Sequence, residues 1–114
     1  MPERIPKVNA LIKKEISQII LKGVEFPIDV LATVTRVETY PNLQESNIWI
    51  SVLPEDRGEE VFKILNKNIY ALQQVLNKRL KMRPIPRIRF LEEKTTVEAA
   101  KIEKILDRLK NEGN

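Results

Sequence analysis

Leu80-Lys81-Met82-Arg83-Pro84-Ile85-Pro86-Arg87-Ile88-Arg89-Phe90 joins a helix end, a stop and a strand start within one short run. Upstream of it, Phe62, Leu65, Ile69, Leu72, Leu76 and Leu80 step by three or four residues, the apolar face of an amphipathic helix. Taken alone, that spacing predicts one continuous helix of about 22 residues, ~33 Å long. Arg83 stops it, because a residue preceding proline avoids the α region. Beyond Pro86 the pattern changes to alternation: Ile88 and Phe90 face one way, Arg87 and Arg89 the other, as in a half-buried strand. A lone strand after a long helix needs a sheet to join, and that sheet has to come from upstream.

Upstream, Val30 to Thr39 is dense in β-branched residues. Val30, Ala32 and Val34 alternate with Thr33 and Thr35, and the alternation slips toward Val37. Tyr40-Pro41-Asn42-Leu43 reads as a turn, with proline presetting φ and asparagine tolerating unusual φ/ψ. A cleaner strand follows, with Ile48, Ile50 and Val52 on one face and Asn47, Trp49 and Ser51 on the other. The two strands form an antiparallel hairpin in this reading. Pro54 to Gly58 breaks the pattern, and Asp56 with Glu59 three residues later resembles a helix-opening cap. At the start of the chain, Val8, Leu11, Ile12, Ile16, Ile19 and Ile20 mark a helix from about Pro6 to Leu21, with Gly23 at its end. At the other end, Glu92-Glu93-Lys94 reads as a solvated loop. Thr95 and Glu98 make a capping box, and Ile102, Ile105, Leu106 and Leu109 line a last amphipathic helix. The order is α-β-β-α-β-α: one small α+β domain, a three-stranded sheet covered by helices on one face.

Composition narrows the function. The 114 residues are 42% hydrophobic and 32% charged, enough for one packed core. No cysteine and no histidine occur, which removes thiolate chemistry, disulfides and the commonest general base and metal ligand. No phosphate-cradling glycine loop and no nucleophile elbow is present. Apolar runs such as Ile19-Ile20-Leu21 fall far short of the ~20 residues a membrane span needs. No signal-peptide pattern is present either. The expectation is a non-enzymatic, cytoplasmic binding domain without cofactor, metal, membrane partner or small-molecule substrate, and a monomer by default.

Charge is unevenly placed. The chain has 20 Lys and Arg against 16 Asp and Glu, yet residues 61–91 contain no acid at all. They hold Lys63, Lys67, Lys78, Arg79, Lys81, Arg83, Arg87 and Arg89. A one-sided excess of this kind suits a polyanion, and nucleic acid is the first candidate. The competing reading is a solvated face, with Lys78, Arg79 and Lys81 favouring the negative end of a helix dipole. Arg4 and Lys7, at the start of the first helix, could extend the contact as an arm. Tyr70 and Trp49 are the aromatics placed to stack on a base, although Trp49 could equally be wedged against a helix. Glu92-Glu93 and Glu59-Glu60 lack the neighbours that acid/base or metal chemistry requires.

In order and loop length, the chain resembles the ribosome-binding factor A family of bacterial assembly factors over about residues 4–109. The resemblance is carried by Arg4-Ile5-Pro6-Lys7-Val8, by Thr33-Val34-Thr35-Arg36-Val37 with Pro41-Asn42-Leu43, by Ile48-Trp49-Ile50-Ser51-Val52, and by the 80–90 stretch. Glu93 and Thr95 stand where the family usually has Asp and Ser. The resemblance implies a type II KH-like fold, α-β-β-α(kink)α-β plus a C-terminal helix, in a single domain. It also implies binding to the immature small ribosomal subunit and its pre-rRNA, at the 5′ region and the decoding-site helices, during maturation and cold adaptation. The family kinks its middle helix at an Ala-x-Gly. Here the matching positions are Asn68-Ile69-Tyr70, which makes these three residues part of the expected RNA contact and leaves the kink milder, moved to Asn68, or missing. A generic KH-like adaptor without ribosome specificity is the alternative.

Overall fold

The alternation of β-branched and polar residues in the hairpin builds the sheet on which everything else rests. The computed structural model describes residues 4–94 and runs α1 (Arg4–Gly23), β1 (Leu31–Thr39), β2 (Glu45–Leu53), a 3-10 turn (Glu55–Arg57), α2 (Gly58–Lys67), α3 (Ile69–Arg79) and β3 (Arg87–Glu92). The strands lie in the order β1-β2-β3, antiparallel between β1 and β2 and parallel between β2 and β3. This is the α+β, helix-on-one-face arrangement expected. The capping box at Thr95 and the helix through Leu109 lie outside the described residues.

Ile48, Ile50 and Val52 of β2 and Ile88 and Phe90 of β3 are buried on the helix-covered face. Val8, Ile12, Ile16, Ile19 and Ile20 of α1 join the same core, beside β1 and α3, while Leu11, expected on the same stripe, is partly exposed. The slip seen in β1 has a cause. The register shifts between Val34 and Arg36, so Thr35 is an extra residue and Val37 and Thr39 return to the core face. Thr39 is buried there, and its hydroxyl shares a 2.8 Å hydrogen bond with the buried Ser46 hydroxyl, so neither polar group is orphaned.

In the hairpin turn, the Leu43 N–H donates to the Tyr40 carbonyl (2.8 Å), and the Gln44 N–H donates to the Asn42 side chain (3.0 Å). The unusual backbone angle falls on Leu43 (φ 61°) and not on Asn42. A leucine in the left-handed region costs about 1–2 kcal/mol. Its side chain is buried in the core, which is worth about 1.5–3 kcal/mol and offsets that cost.

The middle helix is two helices. Asn68 sits at φ −100°, ψ 2°, outside the helical region, and its side-chain amide donates to the Ile64 carbonyl at 2.7 Å. The break has therefore moved to Asn68 and needs no positive φ. Before it Val61 and Leu65 are buried, with Phe62 only half-buried; after it Leu72, Leu76 and Leu80 are. Asp56 does not cap α2. It lies in the 3-10 turn, and Arg57 flanks the helix without a side-chain capping bond. Arg57 instead ties two segments together, donating to Glu60 (2.7 Å) and Asp29 (2.6 Å).

Those bonds from Arg57 hold both the Asp29 and the Glu60 carboxyl below the usual carboxylate range. A carboxyl whose pKa is lowered by folding adds stability above its unfolded pKa and loses it as pH falls through the folded value. An NMR titration is expected to find both groups titrating below ordinary Asp and Glu, and Arg57→Gln is expected to return both upward. Unchanged values in the variant would mean that the pairing does not persist in solution.

Candidate nucleic-acid interface

The sequence placed its candidate cations in one acid-free segment; the fold divides them between two places. Lys78 and Arg79 end α3, Lys81 and Arg83 lie in the connector, and Arg87 and Arg89 stand on β3 on the face away from the helices. All six are exposed. The β3 start abuts the hairpin, where the Arg87 N–H donates to the Gln44 carbonyl (2.9 Å). Gln44, Glu45, Pro84, Ile85 and Arg87 line a shallow concavity at this end. Among the described residues, only Arg79 of these six forms an ion pair, with Glu15 at 3.4 Å. Within that part of the chain Lys78, Lys81, Arg83, Arg87 and Arg89 have none, and Arg83 donates to the Met82 carbonyl (2.8 Å). The remaining arginines of the β1–α2 region behave differently, since Arg36 and Arg57 are both held by carboxylates.

Lys63, Lys67, Asn68, Ile69 and Tyr70 form a second group around the helix break. One groove is lined by Asn68, Leu72, Val75 and Arg79 of α3 together with Ile19 and Lys22 of α1. With the Arg79–Glu15 pair, this sets α1 and α3 antiparallel. The break therefore lies beside the end of α1, about 16 Å along α3 from the cluster at the C-terminal end of that helix. Tyr70 is 76% exposed, while Ile69 is partly buried against the core. Lys63 lies beside Asp56, Glu59 and Glu60, so its field is largely offset. The first turn of α1, carrying exposed Arg4 and Lys7, points past the C-terminal end of α3.

Gln73 couples α3 to β3. Its carbonyl oxygen accepts the Ile88 N–H (2.8 Å), and its amide donates to the Pro86 carbonyl (3.1 Å) and to Asn77 (3.0 Å). This one half-buried side chain holds the start of β3, with Arg87 and Arg89, against the helix that carries Lys78 and Arg79. A glutamine between apolar positions carries no periodic signal, so sequence reasoning passed over it.

The open sheet face holds a second arrangement. Trp49 is neither a free stacking platform nor a wedge against a helix. The Arg36 guanidinium lies 4.2 Å from its ring centroid, and its indole N–H donates to Glu38. Arg36 in turn donates to Glu93 at 2.7 Å, and Thr35 donates to the same carboxylate at 3.3 Å. Glu93 is buried, which corrects the solvated-loop reading of Glu92-Glu93, and Glu92 is the last residue of β3. Arg36 on β1, Trp49 on β2 and Glu93 after β3 thus fasten all three strands.

Fold and site together define a small KH-like α+β domain with an end at which Lys78, Lys81, Arg83, Arg87 and Arg89 form no ion pair among the described residues. A family model described as ribosome-binding factor A matches residues 4–106. A ribosome-binding factor A of Bdellovibrio bacteriovorus is 30% identical over 110 residues, covering 96% of this chain and 82% of that protein. The crystal structure of ribosome-binding factor A from Thermus thermophilus shares the fold, with TM-score 0.66 at 24% identity over 76% of this chain and 92% of that one. A Thermus thermophilus homology model fitted into the cryo-EM map of a 30S–RbfA complex gives TM-score 0.62 at 25% identity, over 73% of this chain and 88% of that one. The chain belongs to the ribosome-binding factor A family.

Proposed function

We propose that this chain binds the small ribosomal subunit through the basic end formed by the α3 terminus, the connector and β3, and acts in small-subunit maturation. The observation that carries the reading is the set of five exposed cations at one end of the domain that form no ion pair among the described residues. Phosphate contacts from such side chains supply affinity that falls steeply with salt. Membership of the family supports the ribosome as the polyanion. The Thermus relative fitted into a 30S complex supports the small subunit in particular.

In this reading Lys78, Lys81, Arg83, Arg87 and Arg89 meet rRNA phosphates, with Arg4 and Lys7 extending the contact. Arg79 joins them if rRNA displaces Glu15. Lys63, Lys67, Asn68, Ile69 and Tyr70 form a separate, weaker contact at the helix break, where Tyr70 can stack on an unpaired base. The targets are the 5′ region and decoding-site helices of pre-rRNA in immature particles. The chain acts as a cytoplasmic monomer and binds without catalysing a reaction.

Co-sedimentation with purified small subunits and with whole ribosomes, at two salt concentrations, tests this. Salt-sensitive binding to free small subunits and little to whole ribosomes is the expected result. Binding to neither particle would favour the adaptor reading.

A further inference from the structure

An open sheet has two outer strands, and β1 is one of them. Two hydrogen bonds fix which way its backbone points. The Trp49 carbonyl accepts from the Thr35 hydroxyl (3.3 Å), so it lies on the β1 side of β2. The Ile50 carbonyl accepts the Glu93 N–H (2.7 Å) on the β3 side. Backbone groups alternate in direction along a strand, so Ser51 and Leu53 also face β1. Their register partners Thr33 and Leu31 turn inward to meet them. The N–H and C=O groups of Ala32 and Val34 therefore point outward, and no backbone group among the described residues pairs with them there. Upstream, the Val30 N–H is closed by the Pro27 carbonyl (3.1 Å); downstream, the bulge at Thr35 breaks the line. The open edge is short and has defined ends.

A groove of about 370 Å³ runs along this edge, beneath the last turns of α1. Leu21 and Val24 of α1 form one wall, Ala32 and Val34 the other, and the core residues Ile50 and Leu65 the floor. No charged side chain lines it, so a phosphate backbone has nothing to hold there. A helix bonds its own backbone, and packed here it would bury the outward groups of Ala32 and Val34 without partners. An extended chain meets both demands. Its backbone continues the ladder, and the side chains on the Ala32 and Val34 side enter the groove. The β1 strand of a second copy is a poor guest, because it offers only alanine and valine on that face and carries its own α1 beside them.

We propose that an extended segment of a partner protein, apolar at every second residue, adds to the sheet as a fourth strand along Ala32 and Val34, with its apolar side chains in the groove beneath α1. The strand carrying Arg87 and Arg89 is the opposite edge of the sheet, so a guest on β1 leaves the basic end free.

Amide exchange and NMR titration of the full chain test this. In the free chain, the Ala32 and Val34 amides should exchange faster than that of Thr33, which faces Ser51. The probe is a capped heptapeptide with leucine or valine at alternate residues and threonine or lysine between them. When the protein is about nine-tenths bound, exchange at Ala32 and Val34 should slow about tenfold, and the signals of Leu21 and Val24 should shift. A peptide with serine in place of the apolar residues should not bind. Methylating the backbone nitrogens of one alternate set of peptide residues should weaken binding about tenfold. Methylating the other set should leave it unchanged, since only one edge of the guest strand meets β1. Three results would overturn the proposal: no slowing at either amide with peptide present at millimolar concentration, indifference to both methylation patterns, or protection of Ala32 and Val34 already in the free chain. Protection that is lost on dilution would mean that a second copy holds the edge, and protection that persists would mean that the chain's own tail does.

Discussion

Replacing Lys81, Arg83 and Arg87 together by glutamine is expected to weaken binding to the small subunit by about tenfold per lost phosphate contact near 0.1 M salt. The slope of log K against log salt should shrink by about three. These residues are exposed, and none forms an ion pair among the described residues, so their loss removes charge at the expense of one exposed hydrogen bond, from Arg83 to the Met82 carbonyl. Substitutions of that kind usually change stability by no more than about 0.5 kcal/mol. Arg57→Gln serves as the control. Its guanidinium is already engaged by Asp29 and Glu60, so the salt slope should stay where it was. A triple variant with an undiminished slope would take the basic end out of the interface, whatever the affinity.

The second large effect belongs to Gln73. Gln73→Leu fills similar space but leaves the Ile88 N–H and the Pro86 carbonyl without their partners. An unsatisfied buried group costs about 1–3 kcal/mol, so a loss of about 2–4 kcal/mol is expected in chemical denaturation. That is a large share of the ~5–15 kcal/mol a domain has in total. Gln73→Glu keeps an acceptor for Ile88 and loses the donor to Pro86, and it should fall between the two. Hydrogen exchange at Ile88 should speed up in the leucine variant ahead of the core of β2. Subunit binding should fall as well, because the same bonds hold Arg87 and Arg89 against the end of α3. Full stability and unchanged exchange in Gln73→Leu would show that the clamp is not formed in solution.

Much of this architecture was legible in local pattern. The alternation of Ile48, Ile50 and Val52 marked the covered face of β2, and the slip toward Val37 was the trace of the extra residue at Thr35. The break at Asn68, which the resemblance offered as one of three outcomes, left no mark in the apolar spacing, and the hydrogen bonds show why. The Asn68 N–H still donates to the Ile64 carbonyl (3.2 Å), and the Leu72 N–H still donates to the Asn68 carbonyl (2.9 Å). The chain turns without losing phase, so the apolar spacing runs through the bend unchanged. Leu43 escaped for a different reason: its strained φ is held by burial against residues far along the chain, which no turn signature encodes. Glu93 looked like loop charge because its partner Arg36 is 57 positions away. For the candidate site, the sequence showed which cations lack neighbouring acids. Only the fold shows that they divide into a cluster at the α3–β3 end and a weaker group at the helix break.

Site-directed cleavage of rRNA tests the placement most directly. A single cysteine at Gln44, whose backbone touches the start of β3, carries a tethered iron chelate to the basic end. A second variant carries it at Glu59, on the exposed acidic face of α2. In complexes with small subunits, the probe at residue 44 should cut small-subunit rRNA and the probe at residue 59 should cut it little or not at all. Cleavage from residue 59 with none from residue 44 would contradict the account and turn the molecule around on the ribosome.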